Sequence, residues 1–305
     1  MATQKEVRNR ISSVKNIHKI TRAMEMVAAA RLRRAEQRID NMRPYAQAIR
    51  KMTQQVAEAA QGIPRVALLT ERENVSKVGI ILVTGDRGLA GAFNTNIIRE
   101  GVRLKREFAG DSAEVEYSVV GRRGNSTMTF RGEAVSRSYV GFTDRPAFTD
   151  AREISRDVTA AYVDEELDRV ELVYNRYVSP LTQYVRRQTL LPMQQAEVFG
   201  EGIPEPEEPA DPELAEAHEK AFWDYEPEPE KLLPMLFEEY VDLSVYRALL
   251  ESSASELGAR MTAMRSAAEN AQDMIGDLTL AMNRARQAEI TQEILEVVAG
   301  AEALG

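Results

Sequence analysis

Residues 28–49, AAARLRRAEQRIDNMRPYAQAI, place Ala28, Leu32, Ala35, Ile39, Met42, Ala46 and Ile49 at spacings that alternate strictly between four and three. A mean apolar spacing of three and a half residues is the seam of a left-handed coiled coil, and the alanines permit close helix approach. Upstream, Val7, Ile11, Val14, Ile17, Ile20, Met24 and Val27 extend an apolar stripe with mostly alternating threes and fours. Pro44 lacks the backbone N–H and is expected to kink the helix or to mark its later part as separate. Gly62 and Pro64 end it. A helix from about residue 3 to 60 would run roughly 85 Å.

The other end of the chain repeats the pattern. Leu257, Met261, Met264, Ala268, Ala271, Ile275, Leu278, Met282 and Ala285 keep a strict heptad, and no proline follows Pro234. A helix from about 232 to 302 would run roughly 105 Å. The two terminal helices are therefore expected to pair as a long antiparallel coiled coil. Core packing is the expectation for Met24, Met26, Met261, Met264, Met274 and Met282, and Gly258 and Gly276 are read as points of close helix approach.

After Ala285 the pattern changes. Ile290, Ile294, Leu295, Val297 and Val298 spread around the helix. A helix apolar on several faces needs burial from several sides, and the N-terminal helix is too short to supply it. The C-terminal tip is expected to insert into another protein.

The middle reads as an open, Rossmann-like α/β domain. Residues 78–84, VGIILVT, form a continuous apolar, β-branched run typical of a buried strand. A glycine-rich turn (Gly85, Gly88, Gly91) and a helix at about Asn94–Phe108 follow. Strands are expected at Glu114–Gly121, Arg169–Tyr177 and Thr182–Leu190, with a helix at Thr149–Tyr162, an alternation that suggests an open α/β sheet. The organisation is thus a coiled-coil helix over 1–62, an α/β domain over 63–230, and a second coiled-coil helix over 231–305. A Pro- and Glu-rich exposed loop at about 200–222 closes the α/β part, with a short helix at Pro212–Phe222.

Composition narrows the function classes. The chain has 305 residues, 44% hydrophobic and 29% charged, and no cysteine. Disulfides, thiolate zinc sites and iron–sulfur ligation are excluded. No run of 18 apolar residues occurs, so no membrane span is expected, and the opening MATQKEVRNR has no apolar core of a secretory signal. Charge is segregated: residues 1–51 hold 13 Lys/Arg against 4 Asp/Glu, whereas residues 201–230 hold 12 Asp/Glu against a single lysine, Lys220. Such blocks point to different partners or to a solvated loop.

Candidate chemistry is sparse. The turn Gly85-Asp-Arg-Gly-Leu-Ala-Gly91 lies between a strand and a helix, where phosphates bind, yet it has neither phosphate-loop nor dinucleotide spacing and no following lysine. His18 and His218 have no ligand partner at helical spacing. Ser252, Ser253 and Ser255 lie inside the predicted helix without a nucleophile elbow and read as a polar helix face. No cofactor, metal or catalytic residue is assigned. Two rival readings remain: a nucleotide-binding α/β enzyme with coiled-coil arms, and a nucleic-acid scaffold using the basic N-terminal helix.

Residues 10–34 (RISSVKNIHKITRAMEMVAAARLRR), 85–94 (GDRGLAGAFN), 260–271 (RMTAMRSAAENA) and 278–304 (LTLAMNRARQAEITQEILEVVAGAEAL) resemble the gamma subunit of F-type ATP synthases, with a resemblance over nearly the whole chain. The resemblance implies the central stalk of a rotary motor, without an active site of its own. Its terminal helices would stand in a ring of three alpha and three beta subunits. Its α/β domain would meet epsilon and the membrane rotor ring of c subunits. The chain would sit on the cytoplasmic face of the cell membrane as a peripheral protein, coupling proton flow to ATP synthesis, with no nucleic acid among its partners. The family's ring contacts correspond to Arg286, Gln287 and Thr291, with Met24 facing acidic lever loops and Ile290, Ile294 and Val298 in an apolar sleeve. Trp223, Asp224 and Tyr225 match the foot near epsilon and the c ring. Met282 stands where tyrosine is more usual and His18 where glutamine is common, and the acidic segment is longer than in many bacterial members.

Overall fold

The computed structural model describes residues 4–60, 66–110, 112–194 and 226–302. The acidic loop, the expected helix at 212–222, His218, Trp223, Asp224 and Tyr225 lie outside the described residues. Helix α1 spans Gln4–Ala59 and helix α5 spans Pro229–Glu302. Between them lie a 3-10 turn (Ala67–Leu69), strand β1 (Lys77–Val83), helix α2 (Phe93–Gly110), strand β2 (Glu114–Val120) and helix α3 (Arg122–Phe130). Strand β3 (Val135–Tyr139), helix α4 (Phe148–Val163), strand β4 (Arg169–Tyr177) and strand β5 (Gln183–Leu191) complete the order.

The chain falls into two compact units. One comprises Met1–Leu32, Leu89–Gly91 and Leu257–Gly305; the other comprises Arg33–Gly88 and Ala92–Glu256. The second holds a five-stranded sheet in the order β3-β2-β1-β4-β5. Strands β1 to β4 are parallel, and β5 returns antiparallel to β4. Central β1 is buried from its second residue onward and β4 over Val170–Asn175, as expected when helices cover both faces of a parallel sheet. Glu171 tolerates that burial because Arg169 and Arg187 donate to its two oxygens at 2.6 Å and 3.0 Å. Helix α2 lies tight on β1, since a side chain at Gly101 would place its Cβ 2.6 Å from Leu82 Cδ2.

Two elements escape the hydrophobic pattern. Helix α3 buries only Gly124 and Met128, so RRGNSTMTF carries no apolar stripe. Strand β3 (VSRSY) is an edge strand with alternating exposure and one buried residue, Tyr139. The strand expected at Thr182–Leu190 is β5, which runs along the other edge, buried at Leu190 and Leu191 and mostly half-exposed before them.

Helices α1 and α5 run antiparallel. In the second unit Met42 and Ile49 pack with Leu243 and Leu250, and the Tyr45 hydroxyl donates to Glu239 at 2.7 Å. Helix α1 continues through Pro44 as one element. The carbonyl freed by the missing N–H belongs to Asp40, an exposed residue, so water can satisfy it. In the first unit Leu257, Met261, Met264, Ala268 and Ala271 are buried along α5.

One part of the expected seam is displaced. Val7 and Ile11 are buried, but Ile17, Ile20 and Val27 are 53%, 59% and 53% exposed and Met24 is half-buried. Thr21, Glu25 and Ala28 are buried instead, one residue along. The heptad of residues 28–49 extends backward in strict fours and threes through Glu25, Thr21 and His18 to Val14, Ile11 and Val7, so the seam keeps its phase at the expense of polar residues. Met26 and Met274 are also exposed, and a Cβ at Gly276 would meet nothing within 4 Å, so neither methionine is core and that glycine marks no close approach.

Candidate functional site

A doubly wound sheet takes ligands at the carboxyl ends of its strands, where the strand order reverses. Here that point lies between β1 and β4. It is filled by the chain itself. Ser252 on α5 donates to the Val83 carbonyl at 3.3 Å, and Ser255 donates to the Asn175 carbonyl at 3.1 Å. Ser253 donates to the Asp144 carbonyl at 3.4 Å. These serines are buried, so the polar helix face they form packs against the sheet edge. Glu256 closes the same edge, since a Cβ at Gly85 would stand 2.7 Å from its carboxylate oxygens.

The glycine-rich turn is likewise occupied. Asp86 accepts from the backbone N–H groups of Arg122 at 3.0 Å, Gly141 at 2.9 Å and Thr143 at 3.2 Å, and from the Thr143 hydroxyl at 3.0 Å. A carboxylate of the chain thus takes the place at the start of α3 where a bound anion would sit. Burial pushes the Asp86 carboxyl up, but these hydrogen bonds outweigh it and hold it below the usual aspartate range. Thr84 completes the join by donating to the Val120 carbonyl at 2.6 Å and accepting from the Gly124 N–H at 3.0 Å. Gly121 has φ 93°, and a Cβ there would meet the Thr84 carbonyl oxygen at 2.4 Å, so only glycine fits.

The other candidate feature is the end of α5. Ile290, Ile294, Leu295, Val297 and Val298 are between 47% and 72% exposed. Arg286, Ile290, Ile294 and Val298 fall on one row of residues four apart, and Gln287 and Thr291 start the adjacent row. All six are exposed, and the Thr291 hydroxyl donates to the Gln287 carbonyl at 2.8 Å. Burying an Ile, Leu or Val side chain is worth about 1.5–3 kcal/mol, so covering this exposed tip would be worth several kcal/mol. Met24 lies on α1 in the same unit, half-buried. Sequence reading missed Glu25, the buried carboxylate beside Met24. It accepts from Arg265 Nε at 3.0 Å and from Arg22 Nη1 at 2.6 Å. Its flank of two cationic neighbours, one of them 240 residues away, has no local signal.

The ligand edge of the sheet is thus filled by the chain's own helix, and the end of α5 exposes apolar side chains. The comparisons with known proteins give the family. The chain belongs to the ATP synthase family, whose model matches residues 3–304, and within it to the gamma subunits of the F-type enzyme, which are rotor parts and not the catalytic chains. It is 40% identical to the ATP synthase gamma chain of Rubrobacter xylanophilus over 309 aligned residues, covering 100% of this chain and 99% of the relative. It is 41% identical to the gamma chain of Heliobacterium modesticaldum over 305 residues, covering 100% of both. Among solved structures, a central stalk and c-ring structure of the Tetrahymena thermophila mitochondrial ATP synthase contains a chain matching with TM-score 0.58 and 28% identity, over 81% of this chain and 99% of that one. A chain of the Euglena gracilis mitochondrial ATP synthase shares the fold with TM-score 0.68 at 20% identity, over 99% of this chain and 94% of that one. Among the described residues no helix is long and apolar enough to cross a membrane.

Proposed function

We propose that this chain is the rotor shaft of a membrane-bound ATP synthase, transmitting the torque of proton flow to catalytic sites on other subunits. The observation that carries the reading is the uncovered apolar end of α5, on a chain whose full-length relatives are gamma chains. In this role Ile290, Ile294 and Val298 turn inside an apolar sleeve formed by a ring of three alpha and three beta subunits. Non-directional apolar contact suits a bearing, because it changes little as one surface slides past another. Arg286, Gln287 and Thr291 offer polar contacts to the ring, and Met24 with the surrounding basic residues of α1 meets acidic loops of beta. Epsilon and the c ring contact the α/β unit, with Tyr225 among the contacts. The chain is then a peripheral protein at the cytoplasmic face of the cell membrane.

The nucleotide-binding alternative is disfavoured by the filled sheet edge, where Ser252, Ser255 and Asp86 occupy the positions a nucleotide would need. The test is reconstitution. Mixing the full chain with purified alpha and beta subunits should give a stable 3:3:1 complex with ATPase activity. Failure of the three chains to assemble would overturn the reading.

A further inference from the structure

Two stripes compete for the seam of α1, one residue apart. The stripe Ile17, Ile20, Met24, Val27 is apolar; the stripe His18, Thr21, Glu25, Ala28 is largely polar. Burial of apolar area favours the first. The structure seats the second, with Thr21, Glu25 and Ala28 buried and Ile17, Ile20 and Val27 more than half exposed. The two arrangements differ by one residue of helix phase, a rotation of about 100° of this part of α1 about its own axis.

The polar stripe has its own satisfaction. The Thr21 hydroxyl donates within its helix to the carbonyls of Ile17 and His18, both at 3.0 Å, and so leaves its methyl to the seam. Glu25 is 6% exposed and takes one guanidinium from each helix, Arg22 on α1 and Arg265 on α5. A carboxylate at a seam position is costly without such partners and weak as a source of stability even with them. Its use is specification: a single polar seam residue selects one packing among several that apolar residues would accept.

We infer that the Arg22–Glu25–Arg265 triad is a phase lock, holding the first part of α1 rotated so that Ile17, Ile20 and Val27 point away from α5. Turning the helix to bury the apolar stripe would break the bond between Glu25 and Arg265. Arg22 alone cannot fix the phase, because it turns with Glu25 on the same helix. The lock stands on these contacts alone; only the use of the freed stripe as a surface for the ring rests on the rotor reading.

The chain has no cysteine, so single introduced thiols report cleanly. In the full chain, Val27→Cys should react quickly with a maleimide and Ala28→Cys slowly, following their exposures of 53% and 2%. Adding Glu25→Ala or Arg265→Ala should shrink the ratio of the two rates by about tenfold, a shift of about 1.4 kcal/mol in the balance of phases. Adding Glu25→Leu should keep the original ratio, since an apolar residue there secures the same phase by burial. An unchanged ratio in both alanine backgrounds, with helix content intact by circular dichroism, overturns the lock. So does an equal shift with Glu25→Leu. Should Glu25→Ala fail to fold, Arg265→Ala decides the matter, because it leaves Glu25 capped by Arg22. None of these outcomes depends on assembly with alpha and beta.

Discussion

The Ser255 hydroxyl donates to the Asn175 carbonyl at 3.1 Å, binding α5 to the carboxyl end of β4 across 80 residues of sequence. Ser255 is fully buried, so no water can replace the bond if it is lost. Replacing it by alanine removes the hydroxyl donor without adding volume. Ser255→Ala should lower unfolding stability by about 1–3 kcal/mol, the cost of losing a buried hydrogen bond. Urea melts of the full chain check this. A change within experimental scatter would mean that the serines fill space without sealing the edge.

The seal also predicts what the chain does not bind. Asp86 already receives three backbone N–H groups at the start of α3, and a nucleotide phosphate brought there would meet a carboxylate. Titration of the isolated chain with ATP and magnesium in a calorimeter should give no saturable heat. Saturable binding abolished by Gly85→Ala would revive the nucleotide reading.

The same carboxylate gives the stability a pH dependence. The Asp86 pKa is lower in the folded chain than the ordinary aspartate value of 3.8. A depressed carboxylate contributes stability that is fully present above its unfolded pKa and is lost as pH falls through the folded one. Between neutral pH and about pH 5 Asp86 therefore contributes a constant amount. Below the ordinary value the contribution drains away as the native carboxylate is protonated. Glu25 and Asp168 shift in the same direction and add to the effect. Asp86→Asn should lower the melting temperature at neutral pH and flatten the acid limb of the stability profile. Parallel profiles of the two proteins below pH 4 would place the acid sensitivity elsewhere.

Much of this architecture is legible in the sequence because burial leaves a periodic trace. The β4 boundaries Arg169 and Tyr177 coincide with the expectation, since a central strand is apolar and bounded by polar turns. The exposed apolar tip is legible because Ile290, Ile294, Leu295, Val297 and Val298 leave the heptad positions of the seam. Helix α3 and strand β3 left no such trace: one buries two residues, and the other is an edge. The phase of α1 is not legible at Ile17, Ile20, Met24 and Val27, because apolarity does not track burial there. Ser252 and Val83, 169 residues apart, meet only once the sheet has formed, so the seal at the ligand edge had no counterpart in local sequence.

Helix α2 offers a test of close packing. Gly101 is buried, and a Cβ there would stand 2.6 Å from Leu82 Cδ2 on the central strand. Tyr117 uses the same approach, donating its hydroxyl to the Gly101 carbonyl at 3.1 Å. Gly101→Ala gains helix propensity, about 1 kcal/mol relative to glycine. It also forces Leu82 off its rotamer or α2 off the sheet, a cost of about 1–3 kcal/mol for overpacking. The net expected is destabilisation, larger for Gly101→Val. Recovery of stability in the double variant Gly101→Ala/Leu82→Val, which removes a methylene at the contact, would tie the loss to this pair. Equal losses in the single and double variants would point to a different cause.

The exposed row on α5 separates folding from assembly. Ile294 is 57% exposed and has no role in the chain's own core. Ile294→Glu should leave the melting temperature of the isolated chain unchanged, because surface substitutions away from special features usually stay within about 0.5 kcal/mol. If the tip turns in the proposed apolar sleeve, the same substitution places a charge there in the alpha–beta–gamma complex. Affinity for the ring should fall by about tenfold or more, corresponding to at least about 1.4 kcal/mol. Arg286→Ala differs in kind, since it removes a charge from the row without adding an uncompensated one, and its effect should weaken as salt rises. The two variants measured side by side, by melting of the free chain and by dissociation of the complex at two salt concentrations, distinguish an apolar bearing from a charged clasp. A drop in the free chain's melting temperature with Ile294→Glu would show that the tip is covered by the chain itself, and the case for a sleeve would fail.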